Sequence, residues 1–149
     1  ALKDLNQHLM VVHINYGLRG DDSDLDQELV EQMCQFYGFE VASFSVNYSK
    51  EVGNLQAWAR NIRYEYFEAL RIEEDCDAIV LAHHRDDQVE TLIQKIFRSS
   101  SPQNWMGMKA WDEQRHLLRP WLSITKKEIL AYASSKAVPF REDASNNQI

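Results

Sequence analysis

The feature that most constrains this chain is an alternation of two apolar patterns. Continuous β-branched runs give way to helical spacing, and the exchange repeats along most of the sequence. His8 to Tyr16 reads HLMVVHINY. Its 9–14 stretch has little polar alternation and ends near Gly17, as a buried strand of a parallel sheet would. Asp22 to Tyr37 carries Leu25, Leu29, Val30, Met33, Phe36 and Tyr37 at helical spacing. Asp residues open that helix and Gly38 stops it. Phe39 to Val46 alternates as a second strand, and Lys50 to Gly53 is a connector. Asn54 is placed to cap a helix to about Glu74, with Leu55, Trp58, Ala59, Ile62, Tyr66, Phe67 and Leu70 on its apolar side. Asp77 to Ala82 is a third buried strand, followed by a helix over Asp86–Arg98 with Val89, Leu92, Ile93, Ile96 and Phe97 turned inward. Ser99–Asn104 is read as a loop and 105–115 as irregular. A short apolar segment surrounds Arg119-Pro120, and Thr125 with Glu128 forms a capping box opening a helix to about Lys136.

Strands alternating with helices predict an α/β fold: a parallel sheet joined by right-handed crossovers. Ligands of such sheets lie beyond the carboxyl ends of the strands. The chemistry is therefore expected at His13–Arg19, Ala82–Asp87 and Arg119. The chain has 149 residues, the size of one ordinary domain. It contains no apolar run long enough to span a bilayer. Its start, ALKDLNQHLM, lacks the layout of a secretory signal and lacks an initiator Met, which suggests a fragment. Cys34 and Cys76 make no disulfide framework and read as reduced thiols of a cytosolic protein.

The net charge of −7 is unevenly spread. Residues 1–94 hold seven Lys/Arg against eighteen Asp/Glu, and residues 95–149 hold nine against five. The acidic balance argues against a free-standing nucleic-acid binder, although the last third can supply a basic surface.

The sharpest motif is Ala82-His83-His84-Arg85-Asp86-Asp87-Gln88-Val89-Glu90-Thr91. It leaves a strand and opens a helix, where helix amides and the sheet end focus a ligand site. Asp87, Glu90 and Thr91 share one helical face. A carboxylate there can hold Mg²⁺ through water or orient an amine. The blander reading is an N-capping Asp beside a surface His pair. Zinc is not expected, since adjacent His residues rarely share one ion without further spaced ligands. A second motif, Val12-His13-Ile14-Asn15-Tyr16-Gly17-Leu18-Arg19, turns polar as its strand ends. Taken alone, His13 reads as a satisfied core residue. A third places Arg60, Arg63 and Tyr64 on one helical face, where guanidinium groups suit phosphate oxygens or pair with Glu65, Glu68 or Asp75. Leu118-Arg119-Pro120 and the tail Glu142-Asp143-Ala144-Ser145-Asn146 complete the set.

In this order the motifs resemble the N-terminal domain of the tRNA(Ile)-lysidine synthetase family. The matching segments are VHINYGLR (12–19), NLQAWARNIRY (54–64), AHHRDDQVET (82–91), LRP (118–120) and EDASN (142–146), and they cover nearly the whole chain. Tyr16 stands where the family commonly has His, and Gln56 where it often has Glu. The resemblance implies a Rossmann-like parallel sheet with helices on both faces, of the adenine nucleotide alpha-hydrolase-like kind. It also implies a cytoplasmic bacterial ligase of the PP-loop ATP pyrophosphatase superfamily. Such enzymes use ATP to adenylate the C2 oxygen of the wobble cytidine in the isoleucine tRNA with a CAU anticodon. The ε-amine of free L-lysine then displaces AMP to give lysidine.

Carried onto this chain, the resemblance assigns catalysis to Asp87, with Asp86 and Arg63. It assigns nucleotide contacts to His13, Ile14, Asn15, Tyr16, Arg60, Ala82 and His83. Glu90 and His84 would support lysine or metal, and Mg²⁺ is a candidate at Asp86 and Asp87. The implied cofactors are ATP and Mg²⁺, with no membrane partner. The family's Ser-Gly-Gly-x-Asp-Ser phosphate loop is absent from the sequence. It and a first strand are expected before Ala1, with tRNA-binding domains expected beyond Ile149. Residues 1–149 then form most of one N-terminal nucleotide-binding domain and are expected to be inactive alone. Two competing readings are another PP-loop enzyme such as a tRNA thiolase, which would need cysteines at the site, and a non-enzymatic nucleotide-binding module.

Overall fold

The computed structural model describes residues 8–46, 53–98 and 105–141. They form two compact units. One comprises the described residues up to Phe67 together with Arg141, and the other runs Glu68–Phe140.

In the first unit, β1 (Met10–Asn15) pairs in parallel with β2 (Glu40–Ser45), Met10 opposite Glu40 and Asn15 opposite Ser45. The crossover between them is α1 (Asp21–Tyr37), as parallel pairing requires. Its C-terminus closes as the sequence indicates. Gly38 takes a left-handed conformation, its amide bonds Gln35 O, and the Phe39 amide bonds Cys34 O at 2.8 Å. That satisfies the carbonyls left over in the last turn. Helix α2 (Leu55–Glu73) is opened by Asn54, whose side-chain oxygen accepts from the amides of Gln56 (3.1 Å) and Ala57 (3.2 Å). Strand alternation sorts the side chains of β1 between the helices. Asn15 reaches α1, where it bonds Asp24 and Gln27. Across the ladder from Ile14, Phe44 stacks on Tyr66 of α2 with ring centroids 4.6 Å apart.

In the second unit, β3 (Ile79–Val80) pairs in parallel with β5 (Leu117–Leu118), and β4 (Trp111–Asp112) pairs antiparallel with β5. The ladder between β3 and β5 is short, but Ile79 N to His116 O and Leu81 N to Leu118 O, both 2.8 Å, extend it at each end. Helix α3 (Arg85–Arg98) follows β3, and α4 (Lys126–Ser135) follows β5. Thr125 accepts from the Glu128 amide while Glu128 accepts from the Thr125 amide, the capping box expected from sequence. The hydroxyl and the amide of Thr125 hold the Glu128 carboxyl below its usual range. The end of α2 is tied down by Arg71, which grips Glu68 through two nitrogens and donates to Cys76 O.

Helices and parallel strands in this order confirm the expected α/β class. Three details differ. Residues 105–115 are not wholly irregular: Trp111–Asp112 turn back on β5, and the reversal uses a left-handed His116 (φ 50°) where no Gly announces it. The strand expected over 77–82 is confined to Ile79–Val80. The apolar stripe of α3 is not fully inward either: Val89, Ile93 and Ile96 are each 48% exposed and Phe97 85%. The connector at 50–52, the loop Ser99–Asn104 and the tail from Glu142 lie outside the described residues.

Candidate active site

In the second unit, β3 runs parallel to β5, so their carboxyl ends lie on one side and deliver Ala82–His84 and Arg119 there. His84 is the residue immediately before α3, and it closes the helix by a reciprocal pair of bonds. Its backbone amide donates to Asp87 Oδ2 at 2.8 Å, and its Nδ1 accepts from the Asp87 amide at 3.4 Å. This is the logic of a capping box with imidazole in place of a hydroxyl. The same Nδ1 lies 3.3 Å from Asp87 Oδ2 and 3.8 Å from Asp86 Oδ2, so the imidazole borders both carboxylates. Asp86 points elsewhere: its Oδ2 accepts the backbone amide of Lys126 at 2.7 Å, in the first turn of α4. Another backbone bond, Arg85 N to Ile124 O at 2.9 Å, runs parallel to that brace.

Each of the two carboxylates thus commits Oδ2 to a backbone amide. Among the described residues no hydrogen bond engages either Oδ1. The Asp86 side chain is 56% exposed and that of Asp87 35%. Glu90, one turn along, accepts from Gln94 at 3.0 Å and is exposed. No cluster of three or more metal-ligating side chains occurs among the described residues. The donor set therefore fits a cation carried on substrate phosphates and touched by one or two carboxylate oxygens, the usual manner of Mg²⁺. It does not fit an all-protein cage. Arg119, by contrast, is buried: Nη1 donates to Lys109 O at 2.9 Å and its backbone amide to Ala110 O at 2.8 Å. Through these two bonds it holds the loop before β4.

In the first unit, the residues at the end of β1 divide between the two helices. Asn15 is buried, and both of its amide hydrogens are spent inside the unit, on Asp24 Oδ1 (2.8 Å) and Gln27 Oε1 (3.2 Å). Its Oδ1 accepts from the Gly17 amide at 2.8 Å. The network continues through Gln27 Nε2 to Glu31 Oε1 (2.9 Å), and Ser43 Oγ donates to the same oxygen (2.7 Å). Ser43 and then Gln27 hold the Glu31 carboxyl below its usual range. His13 sits opposite Ser43 in the ladder, and partial burial pushes its imidazole below the ordinary value against opposing pulls from Asp26 and Glu31.

Tyr16 turns the other way. Its hydroxyl donates to Ala59 O at 3.0 Å and accepts from Arg63 Nε at 3.3 Å. Its ring meets Trp58 edge-on at 6.0 Å, and the Arg63 guanidinium lies 5.9 Å from the ring centre. Arg60 lies over Tyr64 at 5.0 Å. Neither Arg60 nor Arg63 forms an ion pair among the described residues, so the expected alternative of pairing with Glu65, Glu68 or Asp75 is not realised; Glu68 is taken by Arg71. A shallow groove of about 340 Å³ runs along α2 past Asn54, Trp58, Asn61, Ile62 and Glu65.

Among the residues that sequence reasoning singled out, the structure joins Tyr16 to Arg63 within the first unit and His84, Asp86 and Asp87 within the second. Three contributors were missed. Ala59 supplies a carbonyl. Lys126 supplies an amide. Gln88 grips the backbone of Met108 from both sides, at 2.9 and 2.6 Å. Ala59 and Gln88 lie inside quoted motifs, but no local pattern marks these bonding roles, because each partner is 20 or more positions away.

Comparison with known proteins agrees with the fold. A solved structure of the U34-tRNA thiolase NcsA from Methanococcus maripaludis with its [4Fe-4S] cluster superposes with a TM-score of 0.75 over 92% of this chain and 49% of that one. Sequence identity is 18%, so the likeness is one of fold. The chain is 33% identical to tRNA(Ile)-lysidine synthase of Bacillus subtilis (strain 168) over 93% of its own length and 31% of the relative's. It is 35% identical to the bifunctional protein TilS/HprT of Listeria innocua over 93% of its length and 22% of the relative's. It therefore spans less than a third of the curated relatives it matches. A PP-loop domain model matches residues 1–149 from end to end, and the chain belongs to the PP-loop domain family.

Proposed function

We propose that this chain is the ATP-using part of a tRNA-modifying ligase that joins lysine to the wobble cytidine of the isoleucine tRNA with a CAU anticodon. The observation that carries the reading is the start of α3. There a strand end feeds a capped helix whose two carboxylates each keep one oxygen out of any hydrogen bond among the described residues. Similarity to lysidine synthases over 93% of the chain supports the same reaction.

Asp87 is the acceptor for the lysine ammonium. Its second oxygen can bind the amine and take a proton from it as the amine attacks. Asp86 and Glu90 stand beside it for lysine or metal. When bound, Mg²⁺ would neutralise phosphate charge in the adenylation step, within reach of the unengaged oxygens of Asp86 and Asp87. Arg63, with Arg60, offers guanidinium to the phosphates. By the resemblance, nucleotide contacts fall to His13, Ile14, Asn15 and Tyr16 in the first unit and to Ala82 and His83 in the second. Adenylation turns the poor leaving oxygen at cytidine C2 into a good one, and AMP departs when the amine adds.

A thiolase needs cysteine at the site, and the cysteines here do not suit that role. Cys34 is buried in α1, and burial pushes its thiol up, away from thiolate. Cys76 lies in the turn before β3, at the amino end of the strand.

The test uses the full-length protein with ATP, Mg²⁺, radiolabelled lysine and a CAU-anticodon tRNA transcript. Alkali-stable label on the tRNA, dependent on ATP and on the anticodon cytidine, is the expected result. No label, with ATP bound and tRNA folded, sinks the reading. Residues 1–149 contain no Ser-Gly-Gly loop. Calorimetry of this stretch alone should show no micromolar ATP binding.

A further inference from the structure

The hydroxyl of Tyr16 occupies an unusual position. It donates its single hydrogen to the Ala59 carbonyl (3.0 Å), which fixes its orientation and leaves its lone pairs to accept from Arg63 Nε (3.3 Å). A tyrosine can do both at once; a neutral imidazole nitrogen can donate or accept but not both. The bond reaches 47 residues along the chain. It links the end of β1 to an exposed arginine in the third turn of α2. The ring itself backs the guanidinium at 5.9 Å, and Trp58 in turn packs edge-on against that ring at 6.0 Å. An exposed arginine ordinarily samples many rotamers, and ordering it costs free energy at the moment of binding. Here Nε is held in place. The two terminal nitrogens, the pair that binds a phosphate end-on, make no hydrogen bond among the described residues.

We propose that Tyr16 is a positioning residue that pre-orients the Arg63 guanidinium for a phosphate or pyrophosphate oxyanion. The inference rests on the reading of Arg63 as a phosphate contact. Tyr16 acts on the phosphate through Arg63: its hydroxyl is spent on Nε so that Nη1 and Nη2 remain available together. The Ala59 carbonyl is part of the device, because it keeps the hydroxyl hydrogen from competing with Arg63.

The experiment is a double-mutant cycle in the full-length protein: Tyr16→Phe, Arg63→Lys and the pair. The readouts are kcat/KM for ATP and the inhibition constant of inorganic pyrophosphate. Tyr16→Phe keeps the ring and removes only the hydroxyl. Losing a hydrogen bond to a charged group should lower kcat/KM about tenfold and weaken pyrophosphate inhibition in parallel. Lysine has no Nε, so in the Arg63→Lys background the same change should add less than about twofold. A purely structural tyrosine would cost the same in both backgrounds, and that additivity overturns the proposal. An unimpaired Tyr16→Phe beside an impaired Arg63→Lys overturns it too, while leaving Arg63 as a phosphate contact. An unimpaired Arg63→Lys removes the underlying reading and the proposal with it. The cycle compares the same change in two backgrounds, so it remains readable if Tyr16→Phe also lowers the melting temperature.

Discussion

The two strand ends differ in what they spend their polar groups on. At the end of β1, Asn15 is used up: its amide and carbonyl both bond within the unit, and the network runs on to Gln27, Glu31 and Ser43. Beyond β3, Asp86 and Asp87 are used by halves, one oxygen each to a backbone amide. The first arrangement fixes a strand end through side chains that bond one another. The second fixes it through backbone amides and leaves charged oxygens over. A carboxylate has about four acceptor sites, so one bond can anchor it without exhausting it. Residue type alone does not tell a structural polar group from a chemical one; the count of unspent donors and acceptors does.

The sharpest way to break the comparison is Asp87→Asn. The amide oxygen can still accept from the His84 backbone, so the cap survives, but the charge is gone. Transfer of lysine to preformed adenylated tRNA, measured in a single turnover, should fall by about a hundredfold or more with the melting temperature little changed. A large loss of stability with normal transfer would make Asp87 a cap and nothing else.

Next in size is Asn15→Ala, which strands Asp24 and Gln27 as well as the Gly17 amide. Denaturant unfolding should show a loss of about 1–3 kcal/mol. A neutral result would show that the network at the end of β1 is dispensable.

Gly107→Ala should cost about 1–2 kcal/mol. An added Cβ there would come within 2.6 Å of the Gln88 side chain, which cannot withdraw without giving up both bonds to Met108. In a Gln88→Ala background the same change should cost less, and equal cost in both backgrounds would contradict the clamp.

The smallest effect belongs to His13. Burial lowers its affinity for protons in the folded state. The unfolded chain therefore binds the proton more readily, and stability falls as pH drops below about 6.5, levelling off once the folded imidazole also titrates. His13→Gln should flatten that part of the pH–stability curve. An unchanged slope would assign it to another group.

Much of this fold could be read from local patterns. The caps at Asn54 and Thr125, the stop at Gly38, and all four helices of the described residues to within a residue or so follow from neighbours within a few positions. The order of strands and helices gave the α/β class for the same reason. The hairpin of β4 on β5 was not legible, because its reversal rests on a left-handed His116 rather than on Gly or Asn. The exposed side of α3 was not legible either, since helical periodicity says which residues share a face but not what covers it. At the candidate site, the AHHRDDQVET block located the start of α3. The division of labour between Asp86 and Asp87 depended on an amide at Lys126, 40 residues away.

That last bond gives the site a built-in reporter. The Lys126 amide is held by the same carboxylate that a cation or ammonium group would seek. Any ligand that draws Asp86 toward itself must share or release that amide, and its hydrogen would then exchange faster with solvent. Exchange at one backbone position in α4 would thus register occupancy at the head of α3, without a label on the ligand and without turnover.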